Sequence, residues 1–99
     1  MKTGLAALLA LSMMGGAAVA AGGATPTEAQ KAEFHKVCMG IAQDDTLCSC
    51  KAEAAMTLID ERFMGVVISG MKGKSPAEAD YSAYNTYVAK SNQVCKPNY

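Results

Sequence analysis

The stretch DTLCSCKAEA, residues 45–54, decides how this chain is held together. It sits in a segment that reads as a helix over residues 46–59, with Leu47, Cys50, Ala54 and Leu58 along the expected buried face. Cys48 and Cys50 are separated by one residue. Each residue turns a helix by about 100°, so side chains at i and i+2 point about 200° apart. The two cysteines therefore do not readily bond each other while helical. They reach two different partners, one on each side of the helix. The chain has four cysteines, and the other two are Cys38 and Cys95. The Cys-Ser-Cys reads as a two-way staple between helices.

Two connectivities satisfy this reading. Cys38–Cys50 with Cys48–Cys95 is favoured, and Cys38–Cys48 with Cys50–Cys95 is the alternative. The preference rests on the turn between the first two helices. If the first helix runs to Gln43, Cys38 lies about five residues below the turn and Cys50 about four above it, close to level on antiparallel axes. If Gly40 ends that helix, Cys48 becomes the nearer partner. Loop entropy does not separate the two, because each has one short and one long loop.

Working outward, the N-terminus sets the expected compartment. Lys2 is followed by an apolar run over residues 5–14 and then by small residues ending Ala18-Val19-Ala20. That is the order of a secretory signal peptide, residues 1–20, cleaved after Ala20. The apolar run is shorter than the roughly 20 residues that span a bilayer. No cysteine stands at the cleavage point, so no lipid anchor is expected. The compact, alanine-rich signal has a bacterial look and points to a periplasm or the medium. Residues 21–24 are expected to be a flexible tail and residues 25–99 one small domain. With Lys2 removed, eight basic and nine acidic side chains remain, a formal charge of −1. Without a basic run, nucleic acid and anionic lipid are poor partners. Domains of this size bury a small fraction of their surface and often need covalent help, which an even cysteine count in an oxidising compartment supplies.

The rest of the domain reads as helices. Thr25-Pro26-Thr27-Glu28 and Ser75-Pro76-Ala77-Glu78 each offer a hydroxyl N-cap, proline at N1 and glutamate at N3. The first helix is expected from residue 26 to between 39 and 43, with Phe34, Val37, Cys38 and Ile41 as its stripe. Asp44-Asp45 marks the second start and Asp60-Glu61 a third, with Phe63, Val66, Val67, Gly70 and Met71 facing inward. The break near Asp60 is weakly favoured over one continuous helix. After a polar hinge at Met71-Lys72-Gly73-Lys74, a last helix carries Ala77, Tyr81, Tyr84, Val88, Ser91 and Cys95 as a core seam, and Pro97 stops it. Nothing requires a strand. The fold class is all-α: a small three- to four-helix bundle stapled by two disulfides.

The layout of Cys38, Cys48-Ser49-Cys50 and Cys95 with Phe34 and Phe63 resembles small exported bacterial proteins of unknown function. These have a helix ending in a cysteine, then C-x-C opening the next, and a last cysteine in the C-terminal helix. The resemblance implies no activity. Plant lipid-transfer proteins look similar in using C-x-C as a two-way staple, but they have twice as many cysteines.

No catalytic set and no cofactor motif appears, so a non-enzymatic module is expected, binding another protein or a small apolar ligand. Tyr81, Tyr84 and Tyr87 do not all fit one core face, and any exposed member is a candidate partner contact. Two other readings stand beside it. A copper-handling protein would use His35 and Met39, which share a helix face at i and i+4, with Met56, Met64 or Met71. A thiol–disulfide protein would use Cys48-Ser49-Cys50, although the closed ring would be strained. A four-cysteine zinc site is disfavoured by the spacing.

Overall fold

The structure, a computed structural model, describes residues 23–96. The expected signal peptide and its cleavage after Ala20, residues 21–22 and Pro97 lie outside the described residues. Four α-helices follow in order: α1 (Glu28–Ile41), α2 (Asp45–Leu58), α3 (Glu61–Met71) and α4 (Tyr81–Val94). A single 3-10 turn, Glu78–Asp80, precedes α4. Among the described residues there is no strand. Disulfides Cys38–Cys48 and Cys50–Cys95 cross-link the helices. The chain is thus an all-α bundle with two staples.

Both proline-containing helix starts lie further along than expected. The N-cap of α1 is Thr27, whose hydroxyl accepts from the Gln30 amide while Gln30 Oε1 accepts from the Thr27 amide. Pro26 is buried ahead of the cap rather than at N1. Tertiary bonds decide this. Gln30 Nε2 also donates to the Glu61 carbonyl at 3.0 Å, and the Glu61 amide donates to the Ala24 carbonyl at 2.7 Å. Gly23 N–H donates to Asp60 Oδ2 at 3.1 Å. The described part of the expected loose tail is therefore hydrogen-bonded to the start of α3. At the second site Ser75 caps nothing. Ala77 is still extended, and Pro76 and Ala77 line a crevice beside Gly65, Val66 and Ser69 of α3. Arg62 pairs with Asp80 at 3.0 Å across the same crevice. The helix starts only when the chain leaves that face.

The break at Asp60 is present. Ile59 is extended, and the Asp60 carboxylate accepts from the Phe63 amide at 2.9 Å. Asp44 caps α2 in the same way through Leu47 at 3.1 Å. The hinge after α3 is a Schellman turn. Gly73 N–H donates to Gly70 and Lys74 N–H to Ser69, each at 3.0 Å. Gly73 has φ +101°, where a side chain is strained.

The favoured pairing of Cys38 with Cys50 and Cys48 with Cys95 is not the one formed, for two reasons. First, α1 ends at Ile41 and Gln43 takes the left-handed position after it, φ 54°, with its amide donating to Met39. Cys38 and Cys48 then lie equally far from the turn, and their Cα atoms are 5.6 Å apart. Second, the face of α2 in the core is Cys48, Ala52 and Ala55, continued by Ile59 after its end, one residue round from the expected Leu47, Cys50, Ala54 and Leu58, of which Ala54 is buried. Cys48 faces α1. Cys50 turns to the end of α4, where its Cα is 5.8 Å from that of Cys95.

The core is Phe34 and Cys38 of α1, that α2 face, Phe63, Met64, Val67 and Ile68 of α3, and Tyr87 of α4. The inner face of α4 keeps Ser91 and Cys95 of the expected seam but takes Tyr87 in place of Tyr81 and Val88. Tyr87, Ser91 and Cys95 are buried, whereas Tyr81 is 48% and Val88 38% exposed. Ion pairs Lys31–Glu53 and Glu33–Lys72 and the His35–Asp45 hydrogen bond tie α1 to its neighbours on the surface. Exposed contacts of this kind contribute little to stability.

Candidate functional site: an apolar groove along α4

A groove runs between α1, the start of α2, the end of α3 and α4. Its volume is about 190 Å³. Phe34, Val67 and Tyr87, all buried, form its floor. Ile41 and Val88 stand at its mouth, 62% and 38% exposed. Isolated exposed apolar residues need no explanation, but two on the rim of one apolar hollow form a patch. The Cys38 half of the first disulfide lines one wall, so the bridge fixes α1 against α2 at the groove itself.

Each tyrosine has a distinct place. Tyr81 is exposed and is not part of the groove lining. Tyr84 is half-buried in the groove wall, its ring 6.4 Å from that of Phe63 and tilted by 59°. Its hydroxyl lies on the backbone of Gly70, where a Cβ has no room. Burial raises its pKa. Tyr87 is in the floor, and burial pushes its phenol up to about 12, with the Ser91 hydroxyl beside it pulling the other way.

That shift has a signed consequence. The unfolded chain ionises near 10 and the folded Tyr87 near 12. Its contribution is intact below about pH 10 and is lost as pH rises toward 12, for about 2–3 kcal/mol. Thermal melts at pH 9 and pH 11.5 are expected to show a smaller alkaline loss in Tyr87→Phe than in the parent. Equal losses would place the alkaline transition in other groups.

Lys51 is the lysine in the groove lining. Its ammonium bridges from α2 to α4 and donates to Asn92 Oδ1. Among the described residues no carboxylate lies within 4.0 Å of it, unlike Lys31, Arg62 and Lys72. Burial lowers its pKa below the usual lysine value. Tyr84 and Asn92 are eight residues apart on α4, so the groove has an apolar end and a cationic end about 12 Å apart. The sequence showed Lys51 only as a basic neighbour of the Cys-Ser-Cys. Its position one residue off the inner face of α2 was hidden by the misassigned face.

Of the other expected ligand residues, His35 and Met39 lie on α1, Met56 on α2, and Met64 and Met71 on α3. His35 Nε2 lies 2.8 Å from Asp45 Oδ1. Met39, Met56 and Met71 pack against the core, and Met64 is fully buried. Among the described residues no three His, Cys, Asp or Glu side chains converge. Cys48 and Cys50 are each bonded to a different helix. Two wider hollows of about 500 and 540 Å³ lie beside Cys50–Cys95 and beside Arg62. Asp44, Thr46 and Lys96 line the first, and Arg62, Lys74 and Asp80 the second, so neither offers a buried apolar floor. No described helix is long and apolar enough to cross a membrane. Comparison with family models, with curated proteins and with solved structures finds no match to the chain.

Proposed function

We propose that this protein is an exported, non-enzymatic binding module of the cell envelope that takes a small apolar group into the groove along α4. The observation that carries the reading is the pairing of a buried apolar floor with exposed Ile41 and Val88 at one mouth. Such a hollow gains free energy by covering apolar surface, about 25 cal/mol per Å². The size limits the guest. A cavity of about 150 Å³ holds a benzene, and drug-sized sites run from about 300 Å³ upward. A guest here is therefore small, or enters by one end only. Two disulfides suit an oxidising compartment, which supports export to a periplasm or the medium.

The test uses a neutral phenylnaphthylamine dye, whose emission rises and shifts to the blue in an apolar site. The oxidised full chain is expected to bind it, and Val88→Asp to weaken that binding about tenfold or more. Val88 is exposed enough for the variant to keep its helical circular dichroism. Absence of both dye and octanol binding, or dye binding that is unchanged in Val88→Asp, removes the reading.

A further inference from the structure

Resting on the groove reading, we infer that the guest is amphipathic and anionic, a short-chain alkyl carboxylate whose tail lies on Phe34, Val67 and Tyr87 and whose head pairs with Lys51. The groove is apolar along its length and carries one lysine at one end. That ammonium spends one donor on Asn92 Oδ1. An ammonium has three, so two remain for an acceptor. Among the described residues no carboxylate answers it, whereas Lys31, Arg62 and Lys72 each hold one. A cation left without an anion beside an apolar surface is costly, and a carboxylate brought by the guest supplies a charge-assisted bond in a partly dry setting. A neutral guest leaves that donor pair as it was. A cationic guest meets like charge. The groove floor excludes a guest that is polar throughout.

Geometry sets the tail. From the Asn92 end to the Tyr84 end the groove runs about 12 Å along α4. Its volume of about 190 Å³ is slightly above that of a benzene-holding cavity, so it takes a short chain and not a long one. Affinity is expected to climb about fourfold per methylene while the tail stays inside, and to level off once the tail outgrows the groove.

Isothermal titration at pH 7 with octanoate and with octanol separates the two layers of the argument. The parent is expected to bind octanoate at least about tenfold more tightly than octanol. Lys51→Met keeps the length of the stem and removes the charge, and is expected to bring the ratio of octanoate to octanol affinity to about one. Asn92→Asp is nearly isosteric and supplies an internal carboxylate to Lys51. It is expected to lower that ratio by a similar factor, without loss of octanol. If octanol binds and the preference for octanoate is absent, or survives both variants, the anionic guest is overturned and the apolar groove stands. If neither octanol nor the neutral dye binds, the groove reading itself falls and the inference with it.

Discussion

The Cys50→Ser/Cys95→Ser double variant is expected to melt about 15–30 °C below the parent. The bridge closes a loop with a sequence separation of 45, against 10 for Cys38–Cys48. Loop-closure entropy assigns about 4 kcal/mol to the first and just under 3 kcal/mol to the second. In a domain of this size each kcal/mol moves the midpoint by about 4–8 °C. The two loops share no residues, so their contributions are expected to sum in the reduced protein. α4 is the helix most exposed to the loss, because it packs mainly on α2 and on the 3-10 turn before it. Thermal circular dichroism of the parent, of each double variant and of the reduced parent checks this. A drop of only a few degrees for Cys50→Ser/Cys95→Ser would mean that Tyr84, Tyr87 and Ser91 hold α4 without the staple.

Phe63→Ala is expected to cost about 3–5 kcal/mol, a shift of similar size with the disulfides intact. Phe63 is 1% exposed, near the N-terminus of α3, under the Asp60 cap and against Tyr84. Its removal opens a cavity where α3 and α4 meet. Small domains hold only about 5–15 kcal/mol in total, so the variant approaches the limit of folding. Val88→Ala, on the same bundle but at the surface, is expected to stay within about 0.5 kcal/mol. Urea unfolding of both variants is the comparison. Equal midpoints would mean that the Phe63 site collapses around the missing ring.

Helix order and the Asp44 and Asp60 cap residues were legible in the sequence, because each rests on local chemistry, whereas the sequence leaves the count at three to four. What was not legible is rotation. On α2 a stripe weighted by hydrophobicity selects Leu47 and Leu58, which are large, over Ala52 and Ala55, which are small. The helices approach through the small residues, and the leucines flank the contact half-buried. That error of one residue carried the disulfide pairing with it. On α4 the expected seam holds at Ser91, Cys95 and the half-buried Tyr84, but it takes Tyr81 and Val88 where Tyr87 is the residue that faces inward. Gly70 admits the Tyr84 hydroxyl onto α3, and Tyr87 enters the core beside it. No local signal reports such a fit. The α1 start was missed because overlapping Thr-x-x-Glu and Thr-x-x-Gln boxes compete, and the bond from Gln30 to Glu61 decides. The groove is lined from both helices, so it was invisible until the faces were known.

The cysteines pair in consecutive order, first with second and third with fourth. Such a pattern can be completed as the polypeptide emerges from a ribosome or a translocation pore. Cys38 meets Cys48 as soon as the α1–α2 hairpin is out, and no later cysteine has to pass through a closed ring. Cys50 then waits for the whole of α3 and α4. During that interval the molecule carries one unpaired thiol beside a finished hairpin, and an oxidant acting in order of appearance leaves the correct product without reshuffling. Had Cys38 bonded Cys50, the two loops would have interlocked along the chain, and an early Cys38–Cys48 bond would have been an error needing an isomerase to undo.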